Sequence, residues 1–378
     1  MERNLLIPTY PKAKLRMTES VGVSVLTNIQ LLDYCLNNSA AVESKWIKDL
    51  AKALPENLKE NLRILRTIFA HGVILRDYYL KHQTSINHDW DDFREWWETF
   101  SETDVLELVI YGIQENMAYY EKYLPSNPSV DEKLKEVSLE SEQLKVLSNR
   151  EKAISVVLES WSVKDFEELA PLFNDLKGIK ERIIRLLDGV WDLGFQACWQ
   201  SSKSRIVGWK ENQLSKLSRP YGMNEEAIFE ITGLYPDTME KEEMNRVHEL
   251  TFIPVPNMGR LLSFLKFECH GFLMFEPTST NDYSSVEEDN PAEVNLAFEG
   301  LGDSTRLQII HLLARNNEMF AQQIVNELNL KQSSVSRHLN YLHKTNLVSV
   351  RQEGNTKYYS INQNEIKKVI YVLENLLK

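Results

Sequence analysis

The sequence is poor in cysteine and contains no long apolar run. Its three cysteines, Cys35, Cys198 and Cys269, are too few and too scattered for a disulfide framework. No stretch approaches the ~18 consecutive apolar residues that a membrane-spanning helix needs, and the mean hydropathy is −0.37. The N-terminal residues also lack the apolar segment of a signal peptide. These absences predict a cytoplasmic protein that does not bind membranes.

Signature motifs of common enzymes are missing as well. The sequence has no Walker loop and no GxGxxG, HExxH, CxxC or GxSxG pattern. An acidic and aromatic cluster at residues 89–98 could line a ligand pocket, and Cys269-His270 could bind a metal, but packing and turn roles are the simpler interpretations. The same holds for three histidines that precede a group of aspartates: His71, His82 and His88. We therefore expect no enzymatic activity, no metal and no cofactor.

The distribution of charge divides the chain. Its 378 residues suggest two or three domains of ~100–200 residues each, and the net charge is −12. Residues 292–378 hold ten Lys and Arg against eight Asp and Glu, a net charge of +2, which leaves −14 for residues 1–291. The polar, acidic stretch between Pro277 and Pro291 is typical of a linker. We predict domains at 1–275 and 292–378, joined by a linker at 276–291.

The first domain is predicted to be α-rich with a small β element, so the fold class is mainly α (α+β). Residues 249–255 and 261–275 alternate like strands, with Gly271 as a turn, and Leu5–Thr9 is a further strand candidate. Residues 126–150 fit either a solvated helix or a mobile connection. Apolar residues recur at helical spacing in five segments, around residues 25–36, 58–69, 104–123, 152–161 and 180–199.

The second domain is predicted to contain a helix-turn-helix. Gly300 and Gly302 should end its first helix, and Asp303 is a suitable N-cap for the next one. That next helix has an apolar stripe formed by Leu307, Ile310 and Leu313. A short helix at 321–328 and a longer one at 332–345 follow, separated by a three-residue connection. The longer helix places Val335, Leu339 and Leu342 on its inner face.

The outer face of the helix at 332–345 is small and polar, and it carries little charge. Its members are Ser333, Ser334, Ser336, Arg337 and Asn340. Small residues near a helix N-terminus let the backbone approach base edges in a major groove ~12 Å wide. Free N–H groups at that end also favour phosphate. A solvent-exposed amphipathic helix with ordinary surface serines would show the same pattern.

The segment 347–361 makes a DNA-binding role more specific. Strands at 347–351 and 356–361 are joined by a turn at Gly354, and Arg351 and Lys357 flank the tip. Such a hairpin is a wing that can contact the phosphate backbone beside the groove. A helix-turn-helix followed directly by a basic hairpin is more informative than either part alone.

Taken together, these motifs resemble the ArsR-type winged-helix family of bacterial transcriptional regulators. The matching segments are 297–310, 330–339 and 351–360, in the family's order and spacing. The resemblance implies a DNA-binding regulator, usually a repressor, that binds a palindromic operator as a homodimer. It also implies a set of DNA-contacting residues: Lys331, Gln332, Ser333, Ser334, Ser336, Arg337, Asn340, Arg351 and Lys357.

Lys331 departs from the family pattern, which often has Ser at this position. A lysine cannot cap a helix N-terminus, and its charge opposes the helix dipole. Either the helix starts nearer Ser333, or Lys331 contacts a DNA phosphate. We favour the second alternative.

The resemblance further implies that the first and last helices of this domain form the dimer interface, through Val294, Phe298, Ile366, Ile370, Leu373 and Leu377. A predicted closing helix over 362–378 has an apolar face that would stay half exposed in a monomer, so we expect a second copy of the chain to cover it. The alternative is that this face packs onto the acidic N-terminal domain. Neither usual metal-sensing site of the family is expected, because this domain has no cysteine and the closing helix no histidine.

The long N-terminal region resembles those of larger ArsR-type regulators, where it would bind an unknown small-molecule effector or mediate dimerisation. Two other functions compete with this interpretation. One is an enzyme with a regulatory winged helix, and the other is a winged helix that serves only for protein interaction.

Overall fold

The structure, a computed structural model, describes residues 13–37, 42–83, 85–163, 166–234, 236, 241–277, 291–316, 318–353, 356–362, 365–366 and 369. The chain forms two compact units, Met1–Thr278 and Ser279–Lys378. The expected fold class, mainly α with small sheets, is confirmed. The predicted strand Leu5–Thr9 and most of the predicted linker lie outside the described residues. None of the described helices is both long and apolar enough to cross a bilayer.

Helices make up most of the N-terminal unit, and they include all five helical segments predicted from periodicity. The described helices are α1 (Val21–Asn37), α2 (Lys45–Ala53), α3 (Glu56–Arg66), α4 (Val73–His82), α5 (Trp90–Glu98), α6 (Glu102–Tyr123), α7 (Pro128–Leu134), α8 (Ser141–Leu144), α9 (Leu147–Ser160), α10 (Phe166–Leu169), α11 (Leu176–Val190), α12 (Gln196–Leu217), α13 (Asn224–Thr232) and α14 (Lys241–Asn245).

The helix predicted around 180–199 is interrupted. A single π-helical turn at Trp191–Phe195 separates α11 from α12, and Gly194 in it has a φ of 126°, which residues with a Cβ rarely adopt. Residues 126–150 form α7, α8 and the start of α9. The segment is therefore largely helical. It is also anchored to the core, because Val130 and Leu144 are fully buried in it.

A four-stranded sheet completes the N-terminal unit. It consists of β1 (Lys14–Met17), β2 (Glu249–Pro254), β3 (Leu262–Phe267) and β4 (His270–Phe275), in the order β1-β2-β4-β3. The β1–β2 and β2–β4 pairs are parallel, and β3–β4 is an antiparallel hairpin. The turn prediction at Gly271 is wrong, because Gly271 pairs inside β4 and the chain reverses at Glu268 and Cys269, where Glu268 has a φ of 51°.

The C-terminal unit contains the predicted helix-turn-helix and hairpin. Its elements are α15 (Pro291–Leu301), α16 (Ser304–Asn316), β5 (Glu318–Phe320), α17 (Ala321–Leu328), α18 (Gln332–Lys344), β6 (Val348–Glu353) and β7 (Thr356–Ile361). Strand β5 was not predicted; it extends the hairpin to an antiparallel sheet of order β5-β7-β6. The core beneath this sheet includes Ile309, Leu313, Ile324, Val335, Leu339 and Leu342.

Two expectations about this unit are wrong in detail. Leu307 is 41% exposed, and Ile309 is buried in its place, because the core meets a different stripe of α16. Gly302 directly follows the last residue of α15, Leu301, as predicted, but Gly300 still lies inside the helix. Instead Gly300 allows a close approach: a Cβ there would lie 2.4 Å from Leu347 Cδ1. Gly354 and most of the predicted closing helix lie outside the described residues.

Candidate DNA-binding surface

The turn of the helix-turn-helix is built around an asparagine. Asn329 closes α17 with a φ of 50°, and its N–H donates to the Val325 carbonyl. Asparagine is one of the few residues that enter this left-handed region at modest cost. The N–H of Leu330 donates to the same carbonyl at 3.2 Å. These contacts fix the direction in which α18 leaves the turn.

The inner face of α18 is the predicted one. Val335, Leu339 and Leu342 are fully buried, which turns the polar residues outward. Of the predicted DNA contacts on and before this helix, Ser334 is half-buried. The other six are exposed: Lys331, Gln332, Ser333, Ser336, Arg337 and Asn340. Within the described chain, these six side chains form no hydrogen bond or ion pair. They are therefore available to an external ligand.

The start of α18 bears on the two alternatives considered for Lys331. The helix begins at Gln332, and Lys331 occupies the N-cap with extended backbone angles and no capping side chain. The Lys331 carbonyl accepts from the N–H groups of Ser334 and Val335 at 2.9 and 3.1 Å. The alternative in which the helix starts nearer Ser333 is therefore wrong. The uncapped end retains the positive dipole that favours an anion.

Arg306 connects α18 to the two helices that precede the helix-turn-helix, α15 and α16. Arg306 donates from Nε to the Gly300 carbonyl at 2.7 Å, and its Cζ lies 4.4 Å from the centroid of the Tyr341 ring. The Tyr341 hydroxyl in turn donates to Glu299 Oε2 at 3.0 Å, a hydrogen bond that raises the pKa of Tyr341. These contacts join α15, α16 and α18. The cluster was not predicted, because its members come from three separate helices.

Asp303 caps α16 as predicted. Its Oδ1 accepts from the Arg306 N–H at 2.9 Å, and this hydrogen bond lowers the pKa of Asp303. His338 of α18 is buried, with Nδ1 3.7 Å from the same carboxylate oxygen. His338 therefore belongs to the packed side of α18 and not to its exposed polar face.

The hairpin carries one of the two predicted basic residues on each strand, Arg351 on β6 and Lys357 on β7. Arg351 is paired with Tyr358, and Gln352 with Lys357. Because successive residues of a strand point to opposite faces, Arg351 and Lys357 lie on opposite faces of the ribbon. The hairpin therefore presents one basic residue on each of its faces.

Arg351 has a partner that the sequence did not reveal. Its Nε and Nη2 donate to the two carboxylate oxygens of Glu318 at 3.1 and 2.8 Å. Its Cζ lies 4.7 Å from the centroid of the Tyr358 ring. The hydrogen bonds from Arg351 lower the pKa of Glu318. Glu318 belongs to β5, which is too short to give a strand pattern.

The candidate dimer residues are only partly described. Phe298 and Ile366 are half-buried and pack against the core of their own unit. The side chain of Val294 and the residues Ile370, Leu373 and Leu377 lie outside the described residues. The assignment of these six residues to a dimer interface stays a prediction.

The N-terminal histidines do not converge. His71 Nδ1 lies 2.5 Å from Asp33 Oδ2, whereas His82 stacks on the Tyr78 ring. His88 lies nearest to Asp92, with 3.9 Å between Nδ1 and Oδ2. The described part of the chain has no group of three or more potential metal ligands. In the acidic and aromatic segment, Phe93 and Trp97 are buried core residues.

A helix-turn-helix with an exposed polar second helix and a following β-hairpin defines a winged helix-turn-helix DNA-binding domain. The family model for bacterial regulatory proteins of the arsR family matches residues 303–350. An uncharacterized HTH-type transcriptional regulator of Methanocaldococcus jannaschii is 39% identical over 79 residues, which are 21% of this chain and 89% of the relative. The chain belongs to the ArsR family of transcriptional regulators.

Two further regulators and one solved structure are also similar to this part of the chain. The transcriptional activator HlyU of Vibrio cholerae is 33% identical over 24% of this chain and 82% of its own. The transcriptional repressor SdpR of Bacillus subtilis is 31% identical over 22% of this chain and 92% of its own. The solved structure of HlyU from Vibrio cholerae covers 24% of this chain and 96% of its own at 32% identity, with a TM-score of 0.21. The matches cover only the DNA-binding part of the chain.

Proposed function

We propose that this regulator binds a palindromic operator as a homodimer, with α18 in the major groove and the β6–β7 hairpin on the phosphate backbone. The observation that carries the proposal is the division of α18 into two faces: Val335, Leu339 and Leu342 are buried, whereas the polar residues of the outer face are exposed except for the half-buried Ser334. An operator with two-fold symmetry would match the symmetry of such a dimer.

Each part of the surface would have its own role. Ser333 and Ser336 are small enough to let α18 approach the bases. Arg337 and Asn340 lie one turn further along and carry the side chains that pair with guanine and adenine edges, respectively. Lys331 and the uncapped helix start would contact phosphate, and so would Arg351 and Lys357. These contacts are expected to make affinity fall steeply with salt.

Repression relieved by a small molecule is the regulatory mode that we favour. SdpR is named a repressor, although HlyU is named an activator. The N-terminal unit would bind the effector, and the net charge of −14 on residues 1–291 would oppose non-specific wrapping of DNA. We expect the protein to act in the cytoplasm and to have no enzymatic activity, in keeping with relatives that are transcriptional regulators.

The test measures, by fluorescence anisotropy, the binding of the full chain to DNA from its own upstream region in the presence of non-specific competitor DNA. Arg337→Ala should weaken specific binding by about 1–3 kcal/mol if the side chain reads a base. Arg315→Ala is the matched control, because Arg315 is exposed at the end of α16. Affinity unchanged both in Arg337→Ala and in an Arg351→Ala/Lys357→Ala double variant would reject DNA binding through this surface and favour a protein-interaction role.

A further inference from the structure

We propose that Tyr341 is a positioning residue that fixes the rotation of α18 about its own axis, so that Arg337 and Asn340 face the bases. This inference rests on the proposed function, because it concerns how the DNA-contacting helix is held. Tyr341 lies one helical turn after Arg337 and is half-buried. Its ring and its hydroxyl contact residues of α16 and α15, respectively.

Three faces of α18 can be distinguished from the ~100° by which each residue turns about a helix axis. One is the buried stripe of Val335, Leu339 and Leu342. The side chains proposed to read the bases lie roughly opposite this stripe and are exposed. Tyr341 and Thr345 lie on a third face, about 110° from the stripe at ~100° per residue. A helix that packs along one stripe alone can roll on its core, whereas contacts along a second face fix its rotation.

The end of α15 and the start of α16 hold this third face through an arginine. Arg306 donates from Nε to the Gly300 carbonyl at 2.7 Å and from Nη2 to the Glu299 carbonyl, two of the carbonyls that a helix end leaves without an internal partner. Its backbone N–H donates to Asp303 Oδ1 at 2.9 Å. The guanidinium is thereby fixed, and its Cζ lies 4.4 Å from the centroid of the Tyr341 ring.

The hydroxyl of Tyr341 provides a second attachment on the same face. It donates to Glu299 Oε2 at 3.0 Å, which joins α18 directly to α15. One turn further along α18, a Cβ on Gly300 would lie 3.0 Å from Thr345 Oγ1, so the backbone of α15 approaches α18 closely there. The third face is therefore held at two successive turns of α18.

A small rotation of α18 is enough to spoil base recognition. Helix side chains extend ~5–6 Å from the axis, so a rotation by ~10° displaces them by about 1 Å. Hydrogen bonds tolerate a range of only about 0.5 Å in the distance between donor and acceptor. Contacts between lysine and phosphate tolerate more, because an ammonium is a point charge on a flexible stem. Loss of the Tyr341 attachment should therefore weaken specific binding more than non-specific binding.

The experiment compares Kd of the full chain for its upstream DNA with Kd for a scrambled duplex of the same length, at several salt concentrations. Tyr341→Leu removes both the ring and the hydroxyl. It is expected to raise the specific Kd about tenfold, within the loss of one bidentate base contact. Kd for the scrambled duplex and the salt slope should stay unchanged, because no phosphate contact is removed. Tyr341→Phe keeps the ring over Arg306 and should fall between the wild type and Tyr341→Leu.

Glu299→Ala distinguishes positioning from a direct contact of Tyr341 with DNA. With a direct contact, removal of a neighbouring negative charge would leave the affinity unchanged or raise it. With positioning, Glu299→Ala should raise the specific Kd about threefold, and Tyr341→Phe in the same chain should cause no further loss, because both variants remove one hydrogen bond. Glu327→Ala is the matched control, since it removes an exposed carboxylate of α17; it should leave Kd unchanged or lower it.

The outcomes separate this inference from the proposed function. The positioning role is overturned if either Tyr341→Leu or Glu299→Ala keeps the wild-type ratio of the two Kd values. It is also overturned if both Kd values rise together, as an unfolded fraction would cause, or if the losses of Tyr341→Phe and Glu299→Ala add. Where hydrogen exchange shows that Tyr341→Leu misfolds, Tyr341→Phe decides in its place. A wild-type chain that does not distinguish the two duplexes rejects the proposed function itself.

Discussion

The same substitution should have opposite effects at two helical glycines. Gly300 lies in α15 and Gly208 in α12, and alanine is favoured over glycine by ~1 kcal/mol in a helix interior. A Cβ on Gly208 would meet no atom within 4 Å, so Gly208→Ala should gain about that amount. A Cβ on Gly300 would lie 2.4 Å from Leu347 Cδ1 and 3.0 Å from Thr345 Oγ1.

The cost of the Gly300 contact follows from burial. Leu347 and Thr345 are both buried, so neither side chain can move into solvent. Overpacking of a filled core typically costs ~1–3 kcal/mol. Gly300 is the penultimate residue of α15, where the interior preference for alanine applies only in part, so Gly300→Ala should destabilise its unit by about 0–3 kcal/mol. The two variants should therefore differ by ~1–4 kcal/mol, the cost at Gly300 plus the gain at Gly208.

The assay must report on each unit separately, since a chain of two units need not unfold in one step. All eight tryptophans lie before residue 210, so tryptophan fluorescence in urea follows the N-terminal unit alone. Hydrogen exchange of peptides from 300–350 follows the C-terminal unit. Equal shifts in the two variants, or a Gly300→Ala chain more protected than the wild type, would refute the close approach of α15 to the turn after α18.

Two further predictions concern single side chains. Burial lowers the pKa of His270, whose Nε2 lies 2.8 Å from Thr251 Oγ1. The fold therefore favours the neutral ring. The resulting contribution to the free energy of unfolding is fully present above about pH 6.5, the pKa of an unperturbed histidine, and it is lost as the pH falls towards the lower folded pKa. His270→Gln should thus flatten the acid-side decline of the urea midpoint followed by tryptophan fluorescence, and an unchanged decline would contradict this. Arg306→Lys should destabilise the C-terminal unit by ~1–2 kcal/mol, because lysine cannot both donate to the Gly300 carbonyl and cover the Tyr341 ring; hydrogen exchange equal to the wild type would argue against it.

The parts of the fold that sequence predicted well are those set by neighbouring residues. The burial of Val335, Leu339 and Leu342 follows from their spacing on one helix. Asp303 caps α16 because an N-cap requires only the next three residues. The exposed polar face of α18 could be predicted for the same reason, because it consists of the residues that lie opposite the apolar stripe.

The parts that sequence missed depend on distant residues. Strand β5 has three residues and no recognisable period, and it exists because β7 pairs with it. Gly300 was interpreted as a helix end from a local rule, but its role is set by Leu347, which comes after α18. Strand β1 is similar, because it pairs in parallel with β2 from near the other end of the unit.

The distribution of charge also bears on how DNA would be chosen. The exposed residues from Gln332 to Asn340 are mainly serine, glutamine and asparagine, with Arg337 as the cation among them; Lys331 stands just before α18, and Lys344 is exposed at its end. Residues 1–291 carry a net charge of −14, which weakens the electrostatic attraction of the whole chain to arbitrary DNA. Neutral side chains gain binding energy mainly from hydrogen bonds to particular base edges, which wrong sequences do not offer. Such a surface favours the ratio of specific to non-specific affinity over the absolute affinity, and that ratio decides occupancy when one operator competes with a whole genome.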